Sequence, residues 1–462
     1  MNSTFKKNIF FALLAQSTSL FVSVLSTLLI PRLLGIESFS LWQLYIFYTT
    51  YVGFFHFGIN DGLYLRLGGI EYSDIDFFLA GSQFKILSFL QILVSIIIVV
   101  FSFIFVTEYY RIFVIIMTSV FMIISNLWLF LSFILQAVNK TKLFSISVMI
   151  DRILFGIGIV SLILFGVENF QWLVFSSLLG RFAALMFNVY HCKEIVFAKF
   201  YDIEKSISEV IINLKVGSVL MLANIANMII LGIGKMIIDL HWGLISFGLV
   251  SFAIAIINFF LMFIGQISMV LFPALRKLNS DELKKKYIKI RIALGIALPL
   301  IFLFYFPMKI LLNLWLPELS MSYFYLGILL PICFFDAKMK LLFTTYFKVL
   351  RKEKILFLIN TSVAIFSLIL SLVSAFIFNN LYLLIFCMVI SVGIKCIIAE
   401  IYISKLMQNK NTKIFFQEMI LISIFILATT MLPPIYAILL YSISYVVFLA
   451  INYDSLRSFF KK

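Results

Sequence analysis

The chain has 462 residues, of which 63% are hydrophobic and only 12% are charged. Ordinary soluble domains carry about a quarter charged residues, and a mean hydropathy of +1.13 leaves too little polar surface to cover a water-soluble globule. The net charge is +15, but the basic residues lie in short loops between apolar runs. That distribution indicates orientation in a membrane and excludes nucleic acid as a partner.

Apolar runs of about 20 residues, the length that a helix needs to cross a bilayer, recur along the whole chain. The first run follows Lys6 and Lys7 and is too long for a signal peptide. Near the end of the chain, Pro433 and Pro434 either separate two short helices or kink one long helix. The sequence predicts fourteen spans, at 9–31, 39–66, 78–106, 112–137, 144–166, 170–191, 212–238, 243–274, 288–314, 322–348, 355–378, 381–404, 414–432 and 435–452.

The Lys and Arg residues outside these spans fall on one side of the membrane. If the N-terminus is inside, the inside segments together with the adjoining ends of the spans hold 25 basic residues, and the outside segments hold only Arg32 and Arg111. Cytoplasmic loops carry such an excess of basic residues. The sequence therefore predicts a protein of the bacterial inner membrane with both termini in the cytoplasm.

Three short patterns recur at nearly the same offset, which indicates an internal repeat. They predict an all-α membrane protein with two six-helix lobes, at 1–200 and 207–405, followed by two further helices at 414–452. The matched segments are Gly35–Phe39 with Gly243–Phe247, Lys140–Lys142 with Lys352–Lys354, and Gly180–Arg181 with Gly393–Lys395.

The segment Ser26–Phe39 contains Pro31-Arg32-Leu-Leu-Gly35 and resembles the first-loop "PRxLG…F" signature of polysaccharide flippases. The segment Gly58–Gly62, followed by Arg66, is similar to the second-helix motif of the same family. These are the O-antigen or capsule repeat-unit exporters (Wzx-type) of the multidrug/oligosaccharidyl-lipid/polysaccharide (MOP) exporter superfamily. The resemblance implies two lobes around a central cavity that opens alternately to each side, and a polyprenyl-diphosphate-linked oligosaccharide as cargo. It also implies a polysaccharide polymerase and a chain-length regulator as partners beside the membrane lipids.

Basic side chains within the spans are candidate cargo contacts, because buried charge in a membrane is costly and marks a pathway. A lipid diphosphate that crosses the bilayer needs cations to replace its lost hydration, and Arg pairs two phosphate oxygens at once. Arg181, Lys338 and Lys395 lie deepest in their spans. The predicted substrate-binding residues are Arg66, Arg152, Arg181, Lys235, Lys338, Lys340 and Lys395.

Acidic side chains within the spans are candidates for coupling transport to an H⁺ or Na⁺ gradient, and these are Asp61, Asp151 and Asp336. An alternative for Asp336 is a pair with Lys340, since residues four apart lie on one helix face. Asp151 and its neighbour Arg152 project about 100° apart on a helix and do not simply neutralise each other.

The remaining chemistry-bearing residues favour no cofactor and no enzyme. The four cysteines form no CxxC pair, and the three histidines have no metal-ligand spacing. We expect the five tryptophans to lie mostly near the membrane interfaces. Two alternatives from the same superfamily stay open, a cation-coupled drug exporter and a peptidoglycan-precursor flippase, whose branch also has fourteen helices. Basic residues outnumber acidic residues within the spans and at their rims, which favours an anionic cargo. The alternative from another class is a membrane glycosyltransferase or polysaccharide polymerase, which the short outside loops disfavour.

Overall fold

The computed structural model describes residues 3–276, 278–408 and 413–453, and within these ranges the chain is helical with no β-strand. This confirms the predicted all-α polytopic class. The helices are α1 (Ser3–Leu33), α2 (Ile36–Tyr51), α3 (Ile59–Leu67), α4 (Phe77–Phe105), α5 (Tyr109–Ala137), α6 (Thr141–Leu164), α7 (Phe170–His191), α8 (Lys193–Val196), α9 (Ile203–Arg276), α10 (Ser280–Ala297), α11 (Ile301–Trp315), α12 (Ser320–Leu329), α13 (Pro331–Lys338), α14 (Thr344–Val349), α15 (Glu353–Leu372), α16 (Leu381–Leu406), α17 (Lys413–Met431) and α18 (Pro434–Ile451).

In the described residues, 11 helical segments are long and apolar enough to cross a membrane. One of them, Met221–Gly265, overlaps two predicted spans, 212–238 and 243–274, and Gly243 breaks the helix between them with a φ of 82°. Two further predicted spans, 39–66 and 322–348, are interrupted and so divide into shorter helices. These differences account for the fourteen spans that the sequence predicts.

The lipid-facing character of the molecule is visible in its exposed side chains. Phe105 is 73% exposed, Leu164 is 78% exposed and Leu314 is 79% exposed. Soluble proteins rarely expose contiguous apolar patches of more than a few hundred Å². Because apolar side chains cover the long helices, the protein is a multi-pass membrane protein.

Polar residues fix several helix starts. The Asp76 carboxylate accepts a hydrogen bond of 3.0 Å from the Leu79 N–H at the start of α4. Asn279 and Glu282 form a reciprocal capping box at the start of α10. Two prolines separate α17, which ends at Met431, from α18, so Pro433 and Pro434 divide two helices and do not kink one.

The chain separates into two compact units, Met1–Ile225 and Ala226–Lys462. In unit 1, α5 packs against α2, α3, α4 and α7, and α6 packs against α1 and α7. In unit 2, α16 packs against α12, α13 and α15, and the α17–α18 hairpin contacts α10, α11 and α12. Leu131 in α5 and Met388 in α16 are fully buried, which places these two helices at the centre of their units.

The unit boundary lies inside α9, whereas the sequence places the junction in the loop near residues 192–211. The difference arises because α9 begins at Ile203 and stays helical to Gly243, so the chain is helix where a linker was expected. The domain ranges 1–200, 207–405 and 414–452 stay predictions. The repeated glycines do have matching positions, since Gly35 precedes α2 and Gly243 interrupts α9.

Candidate functional site: paired charges and a broken helix

A largely buried cation of unit 1 is paired with a carboxylate. Arg181 on α7 donates from Nη2 to Asp151 Oδ2 on α6 at 2.9 Å, and both side chains are largely buried. Gly180 permits this approach, because a Cβ there would lie 2.6 Å from the Asp151 carbonyl oxygen. The guanidinium also lies 4.2 Å from the Trp128 ring centroid, a cation–π contact. Arg181 and Asp151 form the unit-1 charge pair.

Unit 2 holds a similar arrangement. Lys395 Nζ on α16 donates to Asp336 Oδ1 on α13 at 2.8 Å and to Asn227 Oδ1 on α9 at 3.3 Å. Asp336 therefore pairs with Lys395, and the expected pair between Asp336 and Lys340 is wrong. A π-helical turn, Met339–Phe343, begins directly after α13, so the regular spacing of four residues does not apply there. Lys395 and Asp336 form the unit-2 charge pair.

A second group in unit 2, the buried charge cluster, consists of Arg291, Lys338, Glu400 and Glu418. Arg291 donates from Nε and Nη2 to Glu400 Oε1 at 2.8 and 2.5 Å. Lys338 Nζ lies 3.2 Å from Glu400 Oε2 and 2.6 Å from Glu418 Oε2. Lys338 is 1% exposed and Glu418 is 0% exposed. Two cations and two carboxylates balance each other here, so Lys338 holds helices together where the sequence predicted a cargo contact.

The other predicted cations lie in different settings. Arg66 is partly exposed and pairs with Glu209 at 2.6 Å. Lys235 is half-buried, with its ammonium 4.9 Å from the Phe247 ring centroid. Arg152 is half-buried and Lys340 is exposed, and neither forms an ion pair within residues 3–276, 278–408 and 413–453. The structure thus spreads the predicted cations over both units.

The second predicted span is broken in its middle. After α2, residues Val52–His56 form a 3₁₀ turn, and Phe57 and Gly58 adopt left-handed φ angles of 53° and 92° before α3 begins. Side chains from neighbouring helices satisfy carbonyls that the break releases. Gln91 donates to the Phe55 carbonyl at 2.7 Å and Asn126 donates to the Val52 carbonyl at 3.0 Å. In membranes such breaks occur only where protein or water surrounds the backbone.

The break brings two ionisable side chains together. His56 Nε2 lies 3.7 Å from Asp61 Oδ2, and the two residues are 4% and 9% exposed. The Gly58 N–H donates to His56 Nδ1 at 3.0 Å. Beside them, Asn60 is fully buried and donates to the Asn126 carbonyl at 3.1 Å. His56 and Asp61 form the histidine–aspartate pair.

Sequence reasoning missed several of these residues. It placed Arg291 in a cytoplasmic loop, omitted Glu418 and assigned no role to His56. Trp128 is 9% exposed beneath Arg181, although we expected tryptophans near the interfaces. Only His56 had a usable sequence signal, which is its position two residues before a glycine in the middle of a predicted span.

Two solved structures place the fold among membrane transporters. The lipid II flippase MurJ, in an inward closed conformation, has a TM-score of 0.65 at 14% identity, covering 97% of this chain and 99% of that one. An inward-facing multidrug resistance MATE family transporter has a TM-score of 0.62 at 11% identity, covering 86% of this chain and 99% of that one. The chain thus shares the fold of these two transporters.

The MATE transporter is described as a member of the MOP superfamily, so the chain shares its fold with a member of that superfamily. A MOP superfamily transporter from Pyrococcus furiosus, described as having a binding pocket of reverse polarity, has a TM-score of 0.50 at 12% identity. The alignment covers 87% of this chain and 95% of that one. No family sequence model and no curated protein sequence matches the chain. At these identities the likeness shows the fold and not the cargo.

Proposed function

We propose that the protein is a flippase that moves polyprenyl-diphosphate-linked oligosaccharides from the cytoplasmic to the outer leaflet of the bacterial inner membrane by alternating access. The observation that carries this proposal is the extent of the fold likeness. The lipid II flippase covers 97% of this chain, whereas the MATE family transporter in its inward-facing form covers 86%. A neighbour that matches nearly the whole chain favours a lipid-linked cargo over a drug.

The charge pairs support an anionic cargo. Each unit holds a buried cation that faces a single carboxylate, Arg181 in unit 1 and Lys395 in unit 2. A buried pair of this kind leaves the resting protein neutral, which avoids the large penalty of an isolated buried charge. In this proposal the phosphate oxygens of the cargo take the place of Asp151 and Asp336 on these cations. Arg suits the exchange because its planar group binds two phosphate oxygens.

Arg152 and Lys340, which form no ion pair in the part of the chain that the structure describes, supply further positive charge. Arg152 on α6 lies close enough to Arg181 for electrostatic repulsion between them. Lys340 is exposed at the π-helical turn. The proposal retains Arg66 and Lys235 as weaker candidates and assigns Lys338 to the buried charge cluster. It also retains a polymerase and a chain-length regulator as partners, and cytoplasmic termini.

The test uses purified protein in liposomes that contain a fluorescent polyprenyl-diphosphate oligosaccharide. Transfer is followed by quenching of the fluorophore from outside. Single neutralisation would leave a buried charge without its partner, so the informative variants remove both charges, as Asp151→Asn with Arg181→Gln and Asp336→Asn with Lys395→Gln. Both double variants should fold and lose transfer, and the control Lys142→Gln should retain it. Full transfer in both double variants would contradict the cargo assignment.

A peptidoglycan-precursor flippase is the second candidate, because the lipid II flippase covers nearly the entire chain. Three cargoes in the same liposomes separate the candidates: the oligosaccharide lipid, lipid II and ethidium. We expect transfer of the oligosaccharide lipid. Transfer of lipid II alone would establish the second candidate, and transport of ethidium alone would establish a drug exporter.

A further inference from the structure

The break in the second span creates a geometry that a regular helix forbids. Asp61 lies five positions after His56, and at about 100° per residue the two side chains would project about 140° apart on a continuous α-helix. The 3₁₀ turn and the left-handed Phe57 and Gly58 rotate α3 relative to α2, so His56 Nε2 comes within 3.7 Å of Asp61 Oδ2. The break therefore positions this pair.

The hydrogen bond from the Gly58 N–H defines which histidine nitrogen carries the proton. Since Nδ1 accepts this bond at 3.0 Å, the proton of the neutral ring lies on Nε2, which faces the Asp61 carboxylate. A second proton on the ring would occupy Nδ1 and break the bond to Gly58. The pair therefore takes up its exchangeable proton on the Asp61 carboxylate.

We propose that His56 and Asp61 are the proton-binding pair that couples transport to a proton gradient. This deepens the proposed function and rests on it for the transport step, although proton binding itself does not. A sodium ion is a hard cation that needs oxygen ligands on several sides. The His56 Nε2–H that faces Asp61 places a positive hydrogen at the position where a sodium ion would need an oxygen ligand. The pair is therefore better fitted to bind a proton than a sodium ion.

Charged groups on the helices around His56 and Asp61 bind other partners or lie outside the contacts of these two residues. On α3, Arg66 binds Glu209 of α9. On α4, Lys85 donates to the Ala198 carbonyl, and on α5, Arg111 binds Glu108. No ion pair in the described residues joins His56 or Asp61 to any of these groups. In the described residues, the other ionisable side chains of α2 and of the unit-1 part of α9 form no ion pair with His56 or Asp61. These side chains are Glu37, Tyr45, Tyr48, Tyr51, Glu204, Lys205 and Lys215.

Close glycine packing connects the pair to α9. A Cβ on Gly58 would lie 2.6 Å from the Ser218 backbone nitrogen, and a Cβ on Gly62 would overlap the Asn213 backbone. On α9, a Cβ on Gly217 would in turn overlap the Gly58 carbonyl oxygen. Because these backbones touch, α3 cannot shift without moving this part of α9. α9 continues into unit 2, so a proton at Asp61 acts on the segment that joins the units.

The direct test is infrared difference spectroscopy of the protein in lipid nanodiscs, comparing high and low pH. The wild type should show the carbonyl stretching band of a protonated carboxylic acid at low pH. Asp61→Asn should lose this band, and Asp74→Asn, which changes an exposed carboxylate of the same unit, should retain it. His56→Gln should shift the pH midpoint of the band, and His191→Gln should leave it in place. A wild type without an Asp61-dependent band would overturn the proposal.

The transport arm uses liposomes with an imposed pH gradient, an imposed sodium gradient or neither. A gradient of one pH unit can drive up to about tenfold accumulation per coupled proton. The wild type should respond only to the pH gradient, and Asp61→Asn should lose this stimulation. Stimulation by sodium, or by the pH gradient in Asp61→Asn, would overturn the proposal. An Asp61-dependent band without transfer of any lipid-linked glycan would support the proton site and refute the proposed function.

Discussion

The buried charge cluster gives the sharpest prediction about stability. Glu418→Gln removes one of two carboxylates that balance Arg291 and Lys338, and it leaves a net positive charge in a site where Glu418 is 0% exposed. Breaking a buried ion pair by removing one partner destabilises a protein by about 3–5 kcal/mol. The same substitution combined with Lys338→Met removes the excess charge and retains the contact between Arg291 and Glu400. This double variant should lie within about 1 kcal/mol of the wild type.

The assay is thermal unfolding in nanodiscs at one fixed scan rate, since membrane proteins commonly unfold irreversibly. A destabilisation of 1 kcal/mol lowers the Tm of a unit of about 150–250 residues by roughly 2–4 °C. Glu418→Gln should therefore lower the apparent Tm by about 6–20 °C. Lys340→Gln, an exposed cation of the same unit, is the control. A single variant as stable as this control, or a double variant as unstable as the single one, would refute the reasoning.

Three further predictions address the helix break, the cysteines and the membrane orientation. Gly58→Ala should impair folding or transport more than Gly69→Ala. Both glycines have φ above 90°, but only a Cβ at position 58 would collide with another backbone, and expression level with transfer activity measures the difference. Native protein should react slowly with maleimide at pH 8 and fast after unfolding, because all four thiols are buried. Burial also raises the pKa of the Cys192 thiol to about 12, so its reactive thiolate forms only as the pH approaches that value. A cysteine introduced at Asn379 should react with an impermeant maleimide from outside intact cells, and one at Asn279 should not, as the distribution of basic residues predicts.

The sequence could predict the class of fold because the bilayer imposes a simple rule on it. Each span needs about 20 apolar residues, and each loop is short and polar, so the spans and most boundaries follow from hydropathy. The pattern could not show that the second span breaks at Phe57 and Gly58. An apolar run has the same hydropathy whether it is one helix or two, and the hydrogen bonds from Gln91 and Asn126 come from other helices.

The candidate site was only partly predictable for a related reason. Depth within a span identified Arg181 and Lys395, because it depends only on local sequence. Their partners depend on which helices touch, and hydropathy does not encode that. The nearest acid to Lys340 in sequence, Asp336, instead binds Lys395, which lies 59 residues further along the chain.

Each unit has a cation near the middle of a predicted span, Arg181 in α7 and Lys395 in α16, yet the balancing carboxylate comes from α6 in unit 1 and from α13 in unit 2. A cation within a membrane span requires an anion nearby, but any helix that packs against it can supply that anion. A functional demand for the cation would fix its position in both repeats and leave its resting partner free to differ. A pair that served packing alone would give no reason for the cation to keep its position in both units while the carboxylate changes helix. This difference favours a role for the cations beyond packing.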